Sequence, residues 1–171
     1  NKNVNYFEKN IIQSLEDEGE KYYKYRQEIM SSRNQGMTEI YGLYHSPFES
    51  DNAIFKLREL HQIIDEIILK LYGWNDLKID YGFNLDYLEI EESLINDLPQ
   101  EIKHRIDIGN LFFDNFSEAC LFEKLVQSIC SNKRKLSWRF QWPNHQRNIV
   151  LGRLLSLNEK ISEKERLSKE V

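Results

Sequence analysis

Glycine, proline and cysteine are all scarce in this chain. Its 171 residues include seven glycines, three prolines and two cysteines. No two glycines have the Gly-x-Gly spacing that lets a backbone approach a cofactor or a phosphate, which argues against the usual nucleotide-binding motifs. The cysteines, Cys120 and Cys130, lie in a helical pattern and suit free thiols of a reducing compartment better than a disulfide framework. We therefore expect a cytoplasmic protein.

Apolar runs long enough to cross a bilayer are also missing. A run such as 67–69 is far too short for a membrane span, and nothing near Asn1 has the basic, apolar and small-residue order of a signal peptide. We expect no membrane contact. Because the chain starts with Asn rather than Met, we interpret it as part of a longer protein. Its 40% apolar and 30% charged residues are typical of a globular chain, and a domain of this length buries about 70% of its unfolded surface.

The short motifs of common enzymes are absent as well. The sequence has no Gly-x-Ser-x-Gly elbow, no His-Glu-x-x-His helix and no Cys-x-x-Cys pair, so acyl transfer, zinc proteolysis and dithiol chemistry each lack their minimum set. The Glu-x-Lys triplet at 101–103, preceded by Asp97, resembles that of many nucleases. Such sites need carboxylates on adjoining strands around Mg²⁺, whereas this stretch is predicted to be helical after Pro99. We therefore predict no catalytic residue in this chain.

Two groups of side chains have the chemistry of metal ligands. His61 and Asp65 stand four positions apart on one helix face, but two ligands make an incomplete site, and a hydrogen-bonded structural pair is the better interpretation. The second group lacks the short paired spacings of a zinc site and consists of His104, Cys120, Cys130 and His145. We predict no metal site and no cofactor bound by this chain itself.

Charge is distributed unevenly along the chain. The net charge is -5, yet the segment 124–158 has seven basic residues and no acidic one, whereas 81–101 has six acidic residues and no Lys or Arg. A solvated surface is the commoner outcome of such a run, and a surface facing DNA phosphates is the alternative. The residues that we predict for phosphate contacts are Lys133, Arg134, Lys135, Arg139 and Arg147.

Apolar residues recur at helical spacings in several segments, which predicts a mainly α-helical, bundle-like domain. We expect a first helix over 5–33, a loop around Gly42, and a second helix that is capped by Ser50 or Asp51 and ended by Gly73. Further helices are predicted at 88–98, at 100–108, from Ser117 to Ile129, and from Pro143 through Ile161.

The segment 136–142 differs from these helices. Leu136, Trp138, Phe140 and Trp142 alternate with polar residues, a period typical of a half-buried strand. We expect this segment to pair with a strand from a missing part of the protein or to lie extended across helices. Its aromatic residues, interleaved with basic ones, have the composition of a base-stacking platform. Since the aromatic residues fall on one side of the strand, core packing is the favoured interpretation.

One hydrophobic core is predicted to form between the first two helices and the helix after Pro143. Its expected members are Tyr22, Ile29, Leu57, Leu60, Ile64, Leu71, Trp74, Leu154 and Leu157. The chain would then be a single helical domain over 1–171.

Three stretches, taken together, resemble one known family: QEIMSSRNQGMTEIYGLYHSP (27–47), LRELHQIIDEIILKLYGW (57–74) and WPNHQRNIVLGRLLSLNEK (142–160). Their order and content are similar to the C-terminal region of large restriction-modification DNA adenine methyltransferases, including fused type II enzymes and methylases of phage-defence systems. The match covers about a third of the chain. The residues that carry it are Arg33, Gly36, Thr38, Tyr41, His45, Arg58, His61, Asp65, Tyr72, Gly73 and Trp74.

The resemblance implies a parent enzyme that uses S-adenosylmethionine and methylates adenine through an Asn-Pro-Pro-Tyr motif outside this chain. The chain itself would be inactive. It would follow the target-recognition part, brace it against the catalytic domain of the same polypeptide, and contact DNA phosphates. Glu39 and Gly42 stand where the family has Lys and Asn, and 84–136 has no counterpart in the family, so we expect an insertion there. The alternative function is a helical protein interaction module unrelated to DNA.

Overall fold

The computed structural model describes residues 6–85, 88, 95–129 and 136–169. Within these ranges the chain forms six helices and a three-stranded antiparallel sheet, so the predicted mainly α-helical fold is confirmed. The helices are α1 (Tyr6–Arg33), α2 (Met37–Tyr44), α3 (Asn52–Leu71), α4 (Gln100–Asp107), α5 (Phe116–Ile129) and α6 (Asn144–Lys169). The strands are β1 (Gly82–Leu85), β2 (Phe112–Phe113) and β3 (Trp138–Gln141).

The long helices α1 and α3 pack against each other and end close to their predicted positions. Helix α1 ends at Arg33 because Asn34 has a φ of 50°, in the left-handed region that Asn tolerates. Helix α3 begins after Asp51, whose Oδ1 accepts a hydrogen bond from the backbone N of Ala53 at 2.7 Å. It is followed by Gly73, which has a φ of 71°. Apolar spacing and end signals therefore predicted both helices correctly.

The stretch around Gly42 is a helix and not the predicted loop. Helix α2 begins after Gly36, whose N–H donates to Oε2 of Glu39 at 2.8 Å, as in a capping box. Ile40 and Tyr44 of α2 are buried among residues of α1 and α3. The low helix propensity of Gly42 is the reason that the local sequence favoured a loop. In the folded chain, the burial of Ile40 and Tyr44 outweighs this low propensity.

The sheet has the strand order β2, β1, β3 and is antiparallel throughout. Phe83 of the central strand β1 lies opposite Phe113 of β2 and Phe140 of β3. Gly82 is required beside β2, since a Cβ there would lie 2.4 Å from the carbonyl oxygen of Phe113. The extended segment predicted at 136–142 is confirmed as β3, but the expected partner was wrong, because β3 pairs with β1 of the same chain. Four residues are too few for β1 to produce a recognisable period.

Two hydrophobic cores lie side by side and share Phe140 of β3. The first core, between α1, α2 and α3, contains Ile29, Ile40, Tyr44, Ile54 and Leu57. The second core, between the sheet and α5, contains Phe83, Leu85, Phe113, Ala119, Phe122, Val126 and Trp138. Trp138 and Phe140 of β3 thus serve core packing, which was the favoured interpretation of the alternation, whereas Trp142 belongs to neither of these two cores.

The C-terminal helix α6 does not share a core with α1 and α3, contrary to the prediction. Arg153 of α6 donates to the carboxylate of Asp76 and lies over the ring of Trp74, 5.7 Å from its centroid, so these contacts join α6 to the segment that follows α3. Five predicted core residues are not buried: Ile64, Leu71, Trp74, Leu154 and Leu157. The predicted residues that are buried or that pack against the first core are Tyr22, Ile29, Leu57 and Leu60.

The segment 84–136, predicted as an insertion, supplies β2 and α5 to the second core. The insertion itself stays a prediction. The helices expected at 100–108 and from Ser117 correspond to α4 and α5, whereas most of 88–98 lies outside the described residues. None of the described helices combines the length and the low polarity that a membrane span requires.

Candidate functional site

Arg58, one of the residues that carry the family resemblance, is a buried guanidinium of which 4% is exposed. Its Nε donates to the carbonyl oxygen of Tyr44 at 2.9 Å, and its Nη2 donates to those of Ser46 at 2.9 Å and Leu43 at 3.3 Å. The guanidinium also lies 5.0 Å from the ring centroid of Phe140. Burial lowers the pKa of Arg58 to about 10, so it stays charged at neutral pH. Arg58 therefore fixes the end of α2 onto α3.

Arg33 and Tyr41 join other pairs of helices. Arg33, at the end of α1, donates to the carboxylate of Asp51, the cap of α3. The hydroxyl of Tyr41 in α2 is 2.7 Å from that of Tyr22 in α1, and it accepts a hydrogen bond from Nη1 of Arg26 at 3.2 Å. Burial raises the pKa of the Tyr22 phenol, so this hydroxyl is neutral at physiological pH. These contacts hold α1, α2 and α3 in one arrangement.

His45, at the C-terminal end of α2, connects the helices to the sheet. Its Nδ1 accepts a hydrogen bond from the backbone N of Phe140 at 3.1 Å. This bond requires Nδ1 to be unprotonated. The imidazole also packs edge to face against Tyr44, with 5.1 Å between the ring centroids. His45 therefore positions β3 beside α2.

A cleft of about 460 Å³, which we call the aromatic cleft, opens where α2, α3, β3 and α6 meet. Four of its lining residues carry the family resemblance and a fifth was predicted to contact phosphates: Tyr41, His45, His61, Asp65 and Arg147. Further lining residues are Tyr44, Tyr81, Phe140, Gln141 and Trp142. The fold thus brings residues of the family resemblance together with one cation of the basic stretch.

Polar side chains in the aromatic cleft are only partly paired. The Asp65 carboxylate accepts a hydrogen bond from the Tyr81 hydroxyl, and its Oδ2 lies 3.4 Å from Nδ1 of His61. That His61 nitrogen is buried and makes no hydrogen bond within the described residues, and the same holds for Nε2 of Gln141. Oε1 of Gln141 accepts from Arg147 at 3.4 Å. The predicted hydrogen-bonded pair of His61 and Asp65 is therefore only a close contact, and Tyr81 makes the hydrogen bond instead.

Two phenols in the aromatic cleft, those of Tyr44 and Tyr81, remain neutral far into the alkaline range. Burial is the main reason that the pKa of Tyr44 and of Tyr81 is raised, and the hydrogen bond to Asp65 raises the pKa of Tyr81 further. Tyr81 therefore acts as a hydrogen-bond donor at neutral pH. In the described part of the lining, the cleft combines the carboxylate of Asp65 with the guanidinium of Arg147.

Other residues of the resemblance lie away from the aromatic cleft. Gly36 begins α2, and Thr38 lines a separate cavity of about 400 Å³ together with Arg139. Tyr72 stacks on Trp74 with 4.8 Å between ring centroids, and both line a groove of about 440 Å³ beside α6. These residues shape helix ends and the position of α6.

The residues predicted to contact phosphates are described only in part. Arg139 is exposed on β3, and Arg147 is exposed on α6, where it lines the aromatic cleft. The other three, Lys133, Arg134 and Lys135, lie outside the described residues. Arg147 is therefore the predicted cation that the structure places at the cleft.

The zinc-type side chains form no cluster in the described ranges, where no three His, Cys, Asp or Glu residues are grouped to hold a metal. Cys120 is a free thiol whose Sγ donates to the carbonyl oxygen of Pro47 at 3.0 Å. Burial raises the pKa of this thiol. Cys130 lies outside the described residues.

Sequence reasoning missed Tyr81 and Gln141 as residues of the cleft. Tyr81 directly precedes β1, a strand too short to predict. Gln141 occupies a polar position in the alternation of β3, which indicates a solvated side chain. The register that pairs Gly82 with Gln141 brings the two segments together, and that register is a property of the sheet.

No protein-family model, no curated protein and no solved structure matches the chain significantly.

Proposed function

We propose that this chain is the non-catalytic C-terminal helical region of a large DNA adenine methyltransferase of a restriction-modification or phage-defence system. In that enzyme it braces the target-recognition part against the catalytic domain and contacts DNA phosphates. One observation carries the proposal: residues of the resemblance that are far apart in sequence form a connected set of contacts between elements.

Four of these residues each join two elements. Arg33 links α1 to the start of α3, and Tyr41 links α2 to α1. Arg58 binds the end of α2 to α3, and His45 binds α2 to β3. Contacts of this kind hold a scaffold together, which is the role that we propose for the chain. A scaffold shared with the family would account for the resemblance.

Exposed cations of the basic stretch support the phosphate contacts. Arg139 and Arg147 are exposed on β3 and α6, within a segment, 124–158, that has no acidic residue. Guanidinium groups bind phosphates without reading the base sequence. In the parent enzyme such contacts would set the position of the protein on the duplex.

S-adenosylmethionine would bind to the catalytic domain of the parent enzyme. This chain lacks the Gly-rich loop of a nucleotide cofactor site. Calorimetric titration of the chain with S-adenosylmethionine should therefore give no saturable heat at micromolar concentrations. A saturable heat would contradict this part of the proposal.

The complete reading frame that encodes this chain provides the first test. An Asn-Pro-Pro-Tyr motif upstream of Asn1 supports the proposal, and a frame without an adenine methyltransferase motif contradicts it. A second test concerns the phosphate contacts of the intact protein. Changing Lys133, Arg134 and Lys135 together to Ala should weaken binding to cognate and random duplexes alike. The salt slope, which is the slope of log K for DNA binding against the logarithm of the salt concentration, should fall in magnitude by up to about 3.

The matched control for this triple variant changes three exposed cations near the end of α6 to Ala: Lys160, Lys164 and Arg166. The control removes the same charge from a different surface, and we expect it to keep more of the affinity and of the salt slope. Equal losses in both variants would show that net charge alone governs binding. Wild-type affinity and slope in the first variant would remove the phosphate contacts from the proposal.

A second candidate function is a helical interaction module unrelated to DNA. It is favoured by α6, on which Leu151, Leu155, Ile161 and Leu167 are exposed, Leu155 by 69%. Apolar side chains exposed along one helix are typical of a protein contact. Two results together would favour this function. The intact protein would fail to bind duplex DNA at low salt, and Leu155→Glu would abolish a stable complex with another protein.

A further inference from the structure

We propose that the aromatic cleft binds a nucleobase, presented by an unstacked nucleotide whose phosphate lies beside Arg147. The lining combines aromatic rings, two buried polar atoms without hydrogen-bond partners among the described residues, a carboxylate and a guanidinium. A purely structural scaffold requires no such combination. Binding of free nucleosides and nucleotides is independent of the proposed function, whereas DNA as the natural source of the base rests on it.

Aromatic rings surround the cleft. Tyr81 stacks on Phe140 with 5.4 Å between centroids and 24° between ring planes, and Trp142 meets Tyr81 edge to face at 6.4 Å. On the side of the helices the ring of His61 lies 6.0 Å from that of Tyr44, which is 3% exposed and supports the lining from behind. Every base has a π-face that stacks on such rings, so an aromatic lining favours planar heteroaromatic ligands.

The unpaired polar atoms define what the ligand must carry. Nε2 of Gln141 is a hydrogen-bond donor, and it is buried without a partner within the described residues. Nδ1 of His61 is also buried without a hydrogen-bond partner within the described residues, and it lies 3.4 Å from Oδ2 of Asp65. Both atoms have almost no surface exposed to the empty cleft, so a ligand reaches them only when the Gln141 and His61 side chains rotate. A buried polar atom without a partner destabilises a structure, so a rotation that gives it a partner on the ligand adds affinity. The Asp65 carboxylate accepts one bond from Tyr81 and has further lone pairs for a donor on the ligand.

Other ligand classes fit these groups less well. An organic cation would pair with Asp65, but it would offer no acceptor to Gln141 and would be repelled by Arg147. A purely apolar ligand would leave the polar atoms of His61 and Gln141 unpaired. A nucleobase has carbonyl oxygens, ring nitrogens and amino groups along the edges of one flat ring, so it satisfies both donors and acceptors.

The size of the cleft and the position of Arg147 agree with a nucleotide. The volume of about 460 Å³ lies within the range of small-molecule sites. Arg147 lines the cleft, is exposed, and contacts Oε1 of Gln141 at 3.4 Å through one of its nitrogens. A guanidinium has five N–H donors in a planar fork that matches phosphate oxygens, so Arg147 has donors for a phosphate as well.

Fluorescence titration of the chain with nucleosides, mononucleotides and a short single strand tests the proposal. Trp142 lines the cleft, so a base that stacks there should quench the emission saturably. At least one of the common nucleosides should bind, and its mononucleotide and the strand should bind more tightly. Gln141→Leu should weaken nucleoside binding about tenfold, because one buried hydrogen bond is lost. Arg147→Ala should weaken binding of the mononucleotide and the strand more than it weakens binding of the nucleoside.

Two further variants serve as checks, with circular dichroism to verify that each one is folded. Arg166→Ala, which removes an exposed guanidinium from the same helix, should leave every affinity unchanged. Gln141→Glu keeps the size of the side chain but replaces the amide donor with a negatively charged carboxylate, so it should weaken nucleoside binding at least as much as Gln141→Leu.

Three outcomes would overturn the inference. The first is the absence of saturable quenching by any nucleoside at millimolar concentration. The second is wild-type nucleoside affinity in both variants of Gln141, which would place the binding elsewhere. The third is binding of the strand without binding of any nucleoside, because phosphates alone would then be recognised. This last outcome removes the base site but leaves the phosphate contacts of the proposed function intact.

Discussion

The indole Nε1 of Trp138 donates a hydrogen bond to Oε2 of Glu123 over 2.6 Å. Trp138 begins β3 and Glu123 lies in α5, so this bond connects the sheet to the helix that covers it. The other carboxylate oxygen, Oε1, accepts a hydrogen bond from Nε2 of Gln127 at 2.8 Å. Glu123 is only 2% exposed, and its burial is tolerated because both carboxylate oxygens are paired.

Replacing Trp138 with Phe should lower the free energy of unfolding by about 2 to 3 kcal/mol, because one oxygen of a buried carboxylate loses its donor. Adding Glu123→Leu should recover part of this loss, since no unpaired carboxylate then remains. Urea denaturation of the two variants measures both effects. Trp74→Phe, at a half-buried position, is the control and should cost less than about 1 kcal/mol. Equal losses at Trp138 and Trp74 would argue against a structural role of the bond.

Leu60 of α3 is a second position where burial predicts the cost of a substitution in the free energy of unfolding. Its side chain is 7% exposed, so Leu60→Ala should cost roughly 2 to 5 kcal/mol in the free energy of unfolding. Ile64→Ala, one turn further along α3, should cost less, because Ile64 is half-buried. Leu155→Ala on α6 should stay within about 0.5 kcal/mol. Chemical denaturation gives all three values, and a loss below about 1 kcal/mol at Leu60 would place this face of α3 in solvent.

Alkaline pH should destabilise the fold. The pKa values of Tyr22, Tyr44 and Tyr81 are raised, mainly by burial. A phenol whose folded pKa is raised contributes stability below its unfolded pKa of about 10, and this contribution is lost as the pH rises further. The lowered pKa of Arg58 acts in the opposite direction over the same range, but it is one group against three.

Urea denaturation at increasing pH should therefore show a falling free energy of unfolding above about pH 10. Tyr81→Phe should make this fall shallower, since the variant has one buried phenol fewer. A free energy of unfolding that stays constant from pH 8 to about pH 11 would contradict the neutral, buried state of these phenols.

Local signals predicted the helices whose ends are set by neighbouring residues. Asp51 caps α3 through its own side chain, and Asn34 ends α1 by its backbone conformation, so both ends are readable in sequence. Helix α2 was missed because the burial of Ile40 and Tyr44 is a tertiary effect that local propensity does not include. The apolar period of α6 indicated a helix correctly, but such a period does not reveal which surface, if any, covers it.

The candidate site was predictable where its residues share one helix. His61 and Asp65 lie on one face of α3, and helical spacing alone brings them together. Tyr81 and Gln141 reach the same cleft only through the pairing of β1 with β3. Because β1 has four residues, nothing in the local pattern indicates that pairing. The residue types of the site were therefore partly foreseen, while its assembly required the fold.

Methyl transfer by the intact protein is the measurement that tests the proposed function most directly. The protein encoded by the complete reading frame should transfer a radiolabelled methyl group from S-adenosylmethionine to N6 of adenine in duplex DNA. Arg58→Leu, which removes the hydrogen bonds that hold the end of α2, should reduce this transfer, and Arg166→Leu at an exposed position should not. The absence of adenine methylation by the folded intact protein would contradict the proposal.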